Sequence, residues 1–396
     1  MSSNEDFPLP VWAEFQFDGN VTEYFKIWIV NVLLTIATLG IYSAWAKVRT
    51  ESYFYGNTKV NGSSFRYTAE PLKILKGRVI SVIVFALFWV LFNFYPDLII
   101  WTLGAAILTF PFVVVASTSF RLRNTVYRNI RFKFDVRIRD GYRALLRPLA
   151  VVFIVTAGLY SVFESSDFAA QLESAEDSEM KAEDMLSSIF IFTVLPIIPY
   201  LIYVLRRFVI DHMRYGSAQG QFGASGWDFY KIYFKAFFLA MAIAMFVGLL
   251  LGIAMSGSDV GELANSETSP DELSQMLAGP LIVFMVAFYG LGFYLMGYFN
   301  SRLTNMTYNN TEIGPLLINS TLRGRDLGTL YLTNTMAALI SLGLLIPWVK
   351  IRMAKYKASR TEFLAKDMQA INALEQSDSS AVGEEIGEIF DLDIGL

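Results

Sequence analysis

The chain has 396 residues, of which 54% are hydrophobic and 17% are charged, and its net charge is −4. Soluble domains have about 25% charged residues, and the charges here are separated from long apolar runs, so the composition excludes an ordinary soluble protein and indicates a membrane protein. The absence of cysteine excludes disulfides, thiolate nucleophiles and cysteine-ligated metals.

The first predicted element is the apolar segment Tyr24–Val48, which follows a polar, acidic start without the pattern of a cleavable signal peptide. A related segment, Leu327–Ile351, lies near the other end of the chain. Each segment is long enough for one membrane crossing and too short for two. We predict two re-entrant or interfacial helical elements that break near Gly40 and Gly343, with a single kinked span at each place as the alternative.

The two segments share residues at a constant spacing of 303 positions, which we interpret as an internal repeat. The matched residues are Asn31 and Asn334, Gly40 and Gly343, Trp45 and Trp348, Lys47 and Lys350, and Arg49 and Arg352.

Six other apolar runs predict six transmembrane helices, arranged as three helical hairpins. The runs are Val79–Phe94, Leu98–Thr118, Pro148–Phe163, Leu186–Leu205, Ile232–Met255 and Gly279–Asn300.

Charge distribution predicts the orientation of these helices. The loops 164–184 and 256–278 are acidic, with eight and five carboxylates, and almost every lysine and arginine lies in the segments on the opposite side. Because basic residues mark the cytoplasmic side, we predict periplasmic acidic loops and cytoplasmic N- and C-termini.

Four cytoplasmic segments have turn signals and alternating apolar residues that predict β-hairpins, at 49–77, 121–147, 206–230 and 302–328. Single hairpins are marginally stable, so we expect them to associate into a cytoplasmic β layer, as one sheet or barrel. The predicted fold is therefore a membrane α-helical protein, with six transmembrane helices, two re-entrant elements and a layer of short β-hairpins. Residues 1–366 would form one integral membrane domain.

The sequence Arg-x5-Tyr-x-Asn occurs three times. Its copies contain Arg49 and Tyr55, Arg121 and Tyr127, and Arg302 and Tyr308. The simplest interpretation is structural, with arginine at the headgroup level and tyrosine in the aromatic belt. The alternative is a ring of guanidinium and phenol groups that binds an anion or a lipid headgroup.

Candidate catalytic residues are few. The single histidine, His212, follows an apolar run and fits an interfacial structural role, and the chain has no zinc-ligand spacing and no nucleotide-binding or hydrolase motif. We expect neither enzymatic activity nor a cofactor or metal. Asn31 and Asn334 lie in the two repeated segments, where they fit either helix–helix hydrogen bonding or the lining of a solute path.

Two polar regions suggest partners. The basic stretch Arg121–Arg147 lies between predicted spans, so anionic lipid headgroups on the cytoplasmic face fit it better than nucleic acid. The tail, 367–396, is acidic and should be mobile. Its end, Glu384–Leu396, alternates acidic and apolar residues and could add a strand to a sheet edge of a protein partner or of this chain.

The stretch Glu23–Thr58, with the Asn61–Arg78 region behind it, resembles the opening of the bacterial YjgN family, a domain of unknown function. The resemblance extends from about Phe15 to Lys366 and implies a multi-pass protein of the bacterial inner membrane. It also suggests an M48-type metallopeptidase as a partner, and it implies no catalytic residues.

Two functions are therefore in competition. We expect transport or channel-like handling of a small solute, anion or lipid, because broken helices at related positions are typical of transport folds. The alternative is a membrane scaffold or adaptor for a partner such as an M48-type metallopeptidase.

Overall fold

The computed structural model describes residues 11–95, 98–164, 195–256 and 270–365. Within them the first half has the elements β1 (Val11–Phe17), α1 (Val21–Ala37), α2 (Ser43–Asn57), β2 (Thr58–Val60), β3 (Ser63–Tyr67), α3 (Pro71–Phe94), α4 (Ile99–Arg123), β4 (Thr125–Tyr127), β5 (Ile130–Phe134) and α5 (Ile138–Glu164). The second half has α6 (Ile198–Asp211), β6 (Met213–Tyr215), β7 (Ala218–Phe222), α7 (Gly226–Ser256), α8 (Pro270–Asn309), β8 (Thr311–Ile313), β9 (Leu316–Ser320), α9 (Gly324–Ile340), α10 (Ile346–Ala358) and β10 (Thr361–Ala365).

The strands of the described chain form one closed antiparallel barrel in the order β1-β10-β9-β8-β7-β6-β5-β4-β3-β2. Each β-hairpin pairs with the next one along the chain, as where Phe65 of β3 lies opposite Tyr127 of β4. Strand β1 closes the barrel, because it pairs with β2 on one side and with β10 on the other. The first and last strands of the described chain are therefore neighbours in the same barrel.

The hairpin turns follow from local sequence. Asn61 and Gly62 have φ values of 46° and 74°, and Arg128 and Asn129 have values of 46° and 65°. Positive φ at both central residues matches the twist of a two-residue hairpin, and asparagine and glycine tolerate it. The remaining two hairpins turn at glycines with positive φ, Gly216 and Gly314.

The barrel has an apolar core with contributions from every hairpin. The core residues are Val60, Tyr127, Ile130, Tyr215, Ile313 and Leu316. Two buried phenols satisfy backbone groups inside it, since the Tyr127 hydroxyl donates to the Val60 carbonyl at 2.9 Å and the Tyr215 hydroxyl donates to the Tyr127 carbonyl at 3.2 Å. Side chains therefore fill the barrel as a packed core.

The predicted fold class is wrong in its β part. The association of the hairpins takes the form of a closed ten-strand barrel and not of a layer, because each outer strand completes its hydrogen bonds with the neighbouring hairpin until the ring closes. Strands of three to five residues have too few bonds to be stable alone. Among the described strands, closure also leaves no free edge for the predicted addition of the tail.

The predicted number of transmembrane helices is also wrong. Four described helices, not six, contain a segment long and apolar enough to cross a membrane: Pro71–Phe94, Gly104–Arg123, Gly226–Ile253 and Leu281–Asn309. Helix α5 begins with several arginines before its apolar part, and α6 has only 14 residues. Neither helix therefore provides a continuous apolar span within the described part.

The two segments predicted as re-entrant elements are each a pair of helices, α1 with α2 and α9 with α10. We call Val21–Asn57 the first helical hairpin and Gly324–Ala358 the second helical hairpin. Neither contains a candidate span. The predicted tail 367–396 lies outside the described residues, as does most of both predicted acidic loops.

Contacts divide the chain into two compact units. The first comprises Met1–Gly226, Asn310–Ile318 and Glu362–Leu396, and it contains the first helical hairpin and most of the barrel. The second comprises Trp227–Asn309 and Asn319–Thr361, and it contains the second helical hairpin packed on α8.

Candidate functional site

The first helical hairpin reverses direction in a tight turn between Ala37 and Ser43. Leu39 and Gly40 have φ values of 49° and 92° there. The Gly40 amide donates to the Thr35 carbonyl at 2.8 Å, and the Tyr42 amide donates to the Thr38 hydroxyl at 2.9 Å. Glycine suits the left-handed conformation, but a leucine in it is strained.

The second helical hairpin has the same turn. Leu342 and Gly343 have φ values of 49° and 89°. The Gly343 amide donates to the Ala338 carbonyl at 2.7 Å, and the Leu345 amide donates to the Ser341 hydroxyl at 3.0 Å. Each of these bonds joins residues 303 positions after those of the first turn.

In each helical hairpin, a tyrosine of the second helix contacts residues at the start of the first helix, at the end opposite the turn. The Tyr53 hydroxyl accepts from the Asn20 amide at 2.7 Å and lies 3.2 Å from a Glu23 carboxylate oxygen. The Tyr356 hydroxyl accepts from the Arg323 amide at 3.0 Å and lies 3.3 Å from an Asp326 carboxylate oxygen. Burial is the main cause that raises the pKa of Tyr53 and of Tyr356, so both phenols keep the proton that they donate.

The turns carry exposed apolar side chains. Leu39 is 96% exposed and Leu342 is 93% exposed. Their neighbours at the turn, Ile36, Ile41, Leu339 and Leu344, are also exposed. Leu39 and Leu342 contribute almost nothing to packing within the described chain, so the apolar surface at each turn is suited to contact with lipid.

Two arginines donate hydrogen bonds to side chains at the start of α2. The Arg49 guanidinium donates to the Tyr42 hydroxyl at 3.0 Å, and the Arg78 guanidinium of α3 donates to the Ser43 hydroxyl. Their acceptors, Tyr42 and Ser43, are consecutive residues beside the apolar turn, so both guanidinium groups are anchored at the start of α2. We call Arg49 and Arg78 the arginine pair. Guanidinium groups bind phosphate and carboxylate through paired hydrogen bonds.

The matching arginine of the second hairpin has different partners. Arg352 donates to the Thr333 hydroxyl at 2.7 Å and to the Asn334 side-chain oxygen at 3.0 Å. Its guanidinium also lies 5.0 Å from the centre of the Trp348 ring. Arg352 therefore joins α9 to α10.

The two predicted lining residues, Asn31 and Asn334, are both buried, with 4% and 5% of their surface exposed. The Asn31 amide nitrogen donates to the Ala46 carbonyl at 3.4 Å, across the first hairpin. Within the described residues, the Asn31 oxygen and the Asn334 nitrogen have no hydrogen-bond partner. A buried polar atom without a partner costs about 1–3 kcal/mol.

The structure gives the predicted arginine and tyrosine copies different surroundings. Tyr55 lies in α2 with its ring 5.4 Å from that of Tyr67, whereas Tyr127 lies in the barrel core. Tyr308 lies in the last turn of α8 and is partly exposed, at 39%. The first and third copies lie at the end of a helix that precedes a β-hairpin, whereas Tyr127 of the second copy lies in a strand, so the three copies do not share one structural position.

Among the three predicted arginines, Arg49 belongs to the arginine pair, Arg121 is exposed in the last turn of α4, and Arg302 lies 5.6 Å from the Tyr298 ring. Sequence reasoning missed Arg78. The available signal was its position directly before the apolar run that begins at Val79, because a basic residue at that point lies at the headgroup level.

The remaining titratable candidate, His212, follows α6. Its Nδ1 lies 2.8 Å from the Phe208 carbonyl, and its ring packs on Phe208 and Phe134. Within the described ranges, no group of three or more histidine, aspartate or glutamate side chains is placed to hold a metal ion.

Comparison with known proteins gives a family and three relatives. The model of a family described as a bacterial protein of unknown function (DUF898) matches residues 13–389. The chain is 30% identical over 147 residues to the inner membrane protein YjgN of Salmonella typhimurium strain LT2, which is 37% of this chain and 36% of that protein. It is 34% identical over 132 residues to YjgN of Escherichia coli O157:H7, which is 32% of each chain.

It is also 46% identical over 80 residues to YjgN of Escherichia coli K12, which is 20% of this chain and 18% of that protein. These matches span at most about a third of the length of the curated relatives. No solved structure gives a significant match. With a family match over most of its length and four candidate membrane spans, the chain belongs to the DUF898 family and is a multi-pass inner-membrane protein.

Proposed function

We propose that this protein binds an anionic phospholipid at the turn of the first helical hairpin and handles it in a transport-like way. The observation that carries the proposal is the arginine pair, whose members hydrogen-bond to the consecutive residues Tyr42 and Ser43. We also propose that the two helical hairpins are copies of one internal repeat, because their hydrogen bonds match at a constant spacing.

A phospholipid fits better than a small free anion because the surroundings change from basic to apolar over a few residues. The arginine pair suits the phosphate. Tyr42 and Trp45, whose rings stack at 6.1 Å, are the kinds of side chain found at the headgroup level. Beyond them, Leu39 and its apolar neighbours suit acyl chains.

The distribution of lysine and arginine along the chain supports binding to lipid of the cytoplasmic leaflet. Basic residues concentrate in the segments that the orientation prediction assigns to the cytoplasm. Anionic lipids at that surface attract basic side chains, and each nearby lysine or arginine contributes roughly 1 kcal/mol of attraction. We propose binding and movement of lipid rather than catalysis, because the side chains that the described structure bonds to the arginine pair, Tyr42 and Ser43, include no carboxylate or imidazole that could activate the Ser43 hydroxyl.

The adaptor alternative draws on the cytoplasmic β layer and on the strand-like acidic tail. The described strands close into a barrel, so no geometric observation favours a docked strand. A partner bound through Glu384–Leu396, including a metallopeptidase, stays a prediction from the sequence.

Thermal unfolding of the purified full chain in neutral detergent tests lipid binding. Mixed micelles with phosphatidylglycerol should raise the Tm of the wild type, because a ligand that binds only the folded state stabilises it. Phosphatidylcholine should not, and Arg49→Gln/Arg78→Gln should lose the shift. Arg206→Gln, which removes one exposed arginine of α6, is the control and should keep it.

Two results would overturn the binding proposal. An equal shift with phosphatidylcholine would show that the headgroup charge is irrelevant, and a full shift in the double variant would show that the arginine pair is not the site. A shift with inorganic phosphate alone, equal to that with phosphatidylglycerol, would identify a free anion as the ligand.

Movement of lipid is tested in proteoliposomes. Fluorescent phosphatidylglycerol in the outer leaflet is destroyed by an added impermeant reductant, so the fraction destroyed reports exchange between leaflets. The wild type should raise this fraction above about one half in vesicles, and Arg49→Gln/Arg78→Gln should not. Binding without exchange would reduce the function to lipid binding.

A further inference from the structure

We infer that the two helical hairpins have different roles. In the first hairpin Arg49 is available to bind the lipid phosphate, and in the second hairpin Arg352 joins α9 to α10. The inference rests on the proposed lipid binding and names the residues that decide which arginine is available. It starts from two matched hairpins whose arginines, at the same position of the repeat, have different partners.

The backbone does not explain the difference. Both turns have the same φ values within 3° at the leucine and glycine, and the same amides donate to the same carbonyls and hydroxyls. Both hairpins are also tied by the same tyrosine contact to the residues before their first helix. The difference must therefore come from side chains near the arginines.

The first deciding position is the residue before the buried asparagine. In the second hairpin it is Thr333, whose hydroxyl accepts from Arg352 at 2.7 Å, so that Thr333 and Asn334 together hold one guanidinium nitrogen. In the first hairpin the matching residue is Val30, which has no acceptor. Asn31 alone would have to hold Arg49.

The second deciding position is the residue at the start of the second helix of each hairpin. In the first hairpin it is Tyr42, whose hydroxyl accepts from Arg49 at 3.0 Å. In the second hairpin the matching residue is Leu345, which offers no acceptor. Arg49 therefore turns to Tyr42, where it is exposed, whereas Arg352 is partly buried between α9 and α10.

The unpartnered oxygen of Asn31 agrees with this choice. In the second hairpin the matching oxygen accepts from Arg352, but in the described residues around Asn31 it accepts from nothing. The buried oxygen is therefore a competing acceptor for Arg49, and one added acceptor next to it should recapture the guanidinium. A recaptured Arg49 would bridge α1 and α2 and would no longer be available to a phosphate.

An exchange of residues between the hairpins tests the inference. Val30→Thr/Tyr42→Leu gives the first hairpin the side chains of the second and leaves Arg49 in place. We expect the apparent Kd for phosphatidylglycerol to rise roughly tenfold, as in Arg49→Gln, because one charge-assisted hydrogen bond is lost. The Tm without lipid should equal or exceed that of the wild type, because Asn31 gains its partner.

The single arginine variants give the second readout. Arg352→Gln should lower the Tm without lipid and keep the lipid-dependent shift. Arg49→Gln should leave the Tm without lipid unchanged and lose the lipid-dependent shift. If Arg352→Gln fails to fold, Thr333→Val removes the shorter of the two bonds and should lower the Tm in the same direction. The matched control is Arg325→Gln, an exposed arginine of the second helical hairpin that should change neither quantity.

Equal loss of the lipid shift in Arg49→Gln and Arg352→Gln would overturn the division of roles, as would a full shift in Val30→Thr/Tyr42→Leu. A wild type without any shift would refute the proposed lipid binding instead. In that case the Tm without lipid still tests whether Arg352 stabilises the second helical hairpin. Equal Tm values for Arg49→Gln and Arg352→Gln would refute the bridge that Arg352 forms between α9 and α10.

Discussion

At the scale of single residues, the two turn leucines have a conformation and an exposure that packing does not explain. A left-handed conformation costs a residue with a side chain roughly 1–2 kcal/mol compared with its usual conformation. Leu39 and Leu342 both adopt it and are nearly fully exposed. Strain of this kind persists where the surroundings impose it and often where function requires it, and here it places an apolar side chain at the outermost point of each hairpin.

Leu39→Gly should separate stability from lipid handling. Relief of strain and the greater freedom of glycine in the unfolded chain nearly offset each other, so the free energy of unfolding should change by less than about 1 kcal/mol. Lipid exchange in proteoliposomes should fall, because the apolar side chain is lost. Denaturant unfolding in detergent and the exchange assay measure the two quantities.

Leu342→Gly makes the same change in the second helical hairpin. Comparison of the two variants shows whether a loss of lipid exchange is specific to the first helical hairpin, which contains Arg49. A loss of stability well above 1 kcal/mol in Leu39→Gly would contradict the interpretation, because it would show that the side chain packs against the protein.

At the scale of elements, the crossing of α8 and α9 depends on glycines. Gly324 and Gly328 lie one helical turn apart on α9, and a Cβ atom added to either would lie 2.9 Å from the backbone of α8, at Tyr298 and Tyr294 respectively. Gly297 of α8 faces both. Small residues at this spacing let two helix backbones approach closely, which stabilises helix pairs in membranes.

Gly328→Ala should destabilise this crossing by about 1–3 kcal/mol, since the added methyl group meets backbone atoms that cannot move independently. Gly292→Ala, in α8, is the matched control, because a Cβ atom there has nothing within 4 Å. The control should be neutral or gain up to about 1 kcal/mol from helix propensity. Thermal unfolding in the same detergent compares them, and equal Tm values would contradict the close packing.

At the scale of the whole molecule, the barrel joins the two ends of the described chain. Strand β1 lies along β10 with Val11 opposite Ala365 and Ala13 opposite Phe363. Phe363 packs on the barrel core. The fold is therefore completed only when the last strand of the described region is in place.

Truncation after Arg360 should open the barrel, because β1 and β9 both lose a neighbour. Unpaired strand edges associate with other chains, so we expect higher oligomers and aggregation by size-exclusion chromatography with light scattering. Truncation after Lys366 retains all of β10 and is the control, which should elute like the full chain. A monodisperse species with the wild-type Tm after the shorter truncation would show that closure is dispensable.

Much of this architecture could be predicted from local sequence. The apolar runs located the four candidate spans, and turn residues such as Asn61 and Gly62 located the β-hairpins, because both signals depend on neighbouring residues alone. The number of spans was overestimated, because apolar runs near α5 and α6 were counted without allowance for helix length and for the arginines at the start of α5. Arg78 of the arginine pair was not predicted, because its partner Ser43 is distant in sequence.

The sequence by itself determined the membrane class, the position of the turns and the 303-residue correspondence between the two helical hairpins, since composition and local patterns contain that information. Only the tertiary structure decided that ten short strands close into a barrel, because strand pairing joins segments separated by tens to hundreds of residues. It also decided that Arg49 meets Tyr42 while Arg352 meets Thr333 and Asn334. Identical residues at matched positions have different partners because the acceptors within reach depend on side chains brought together by folding.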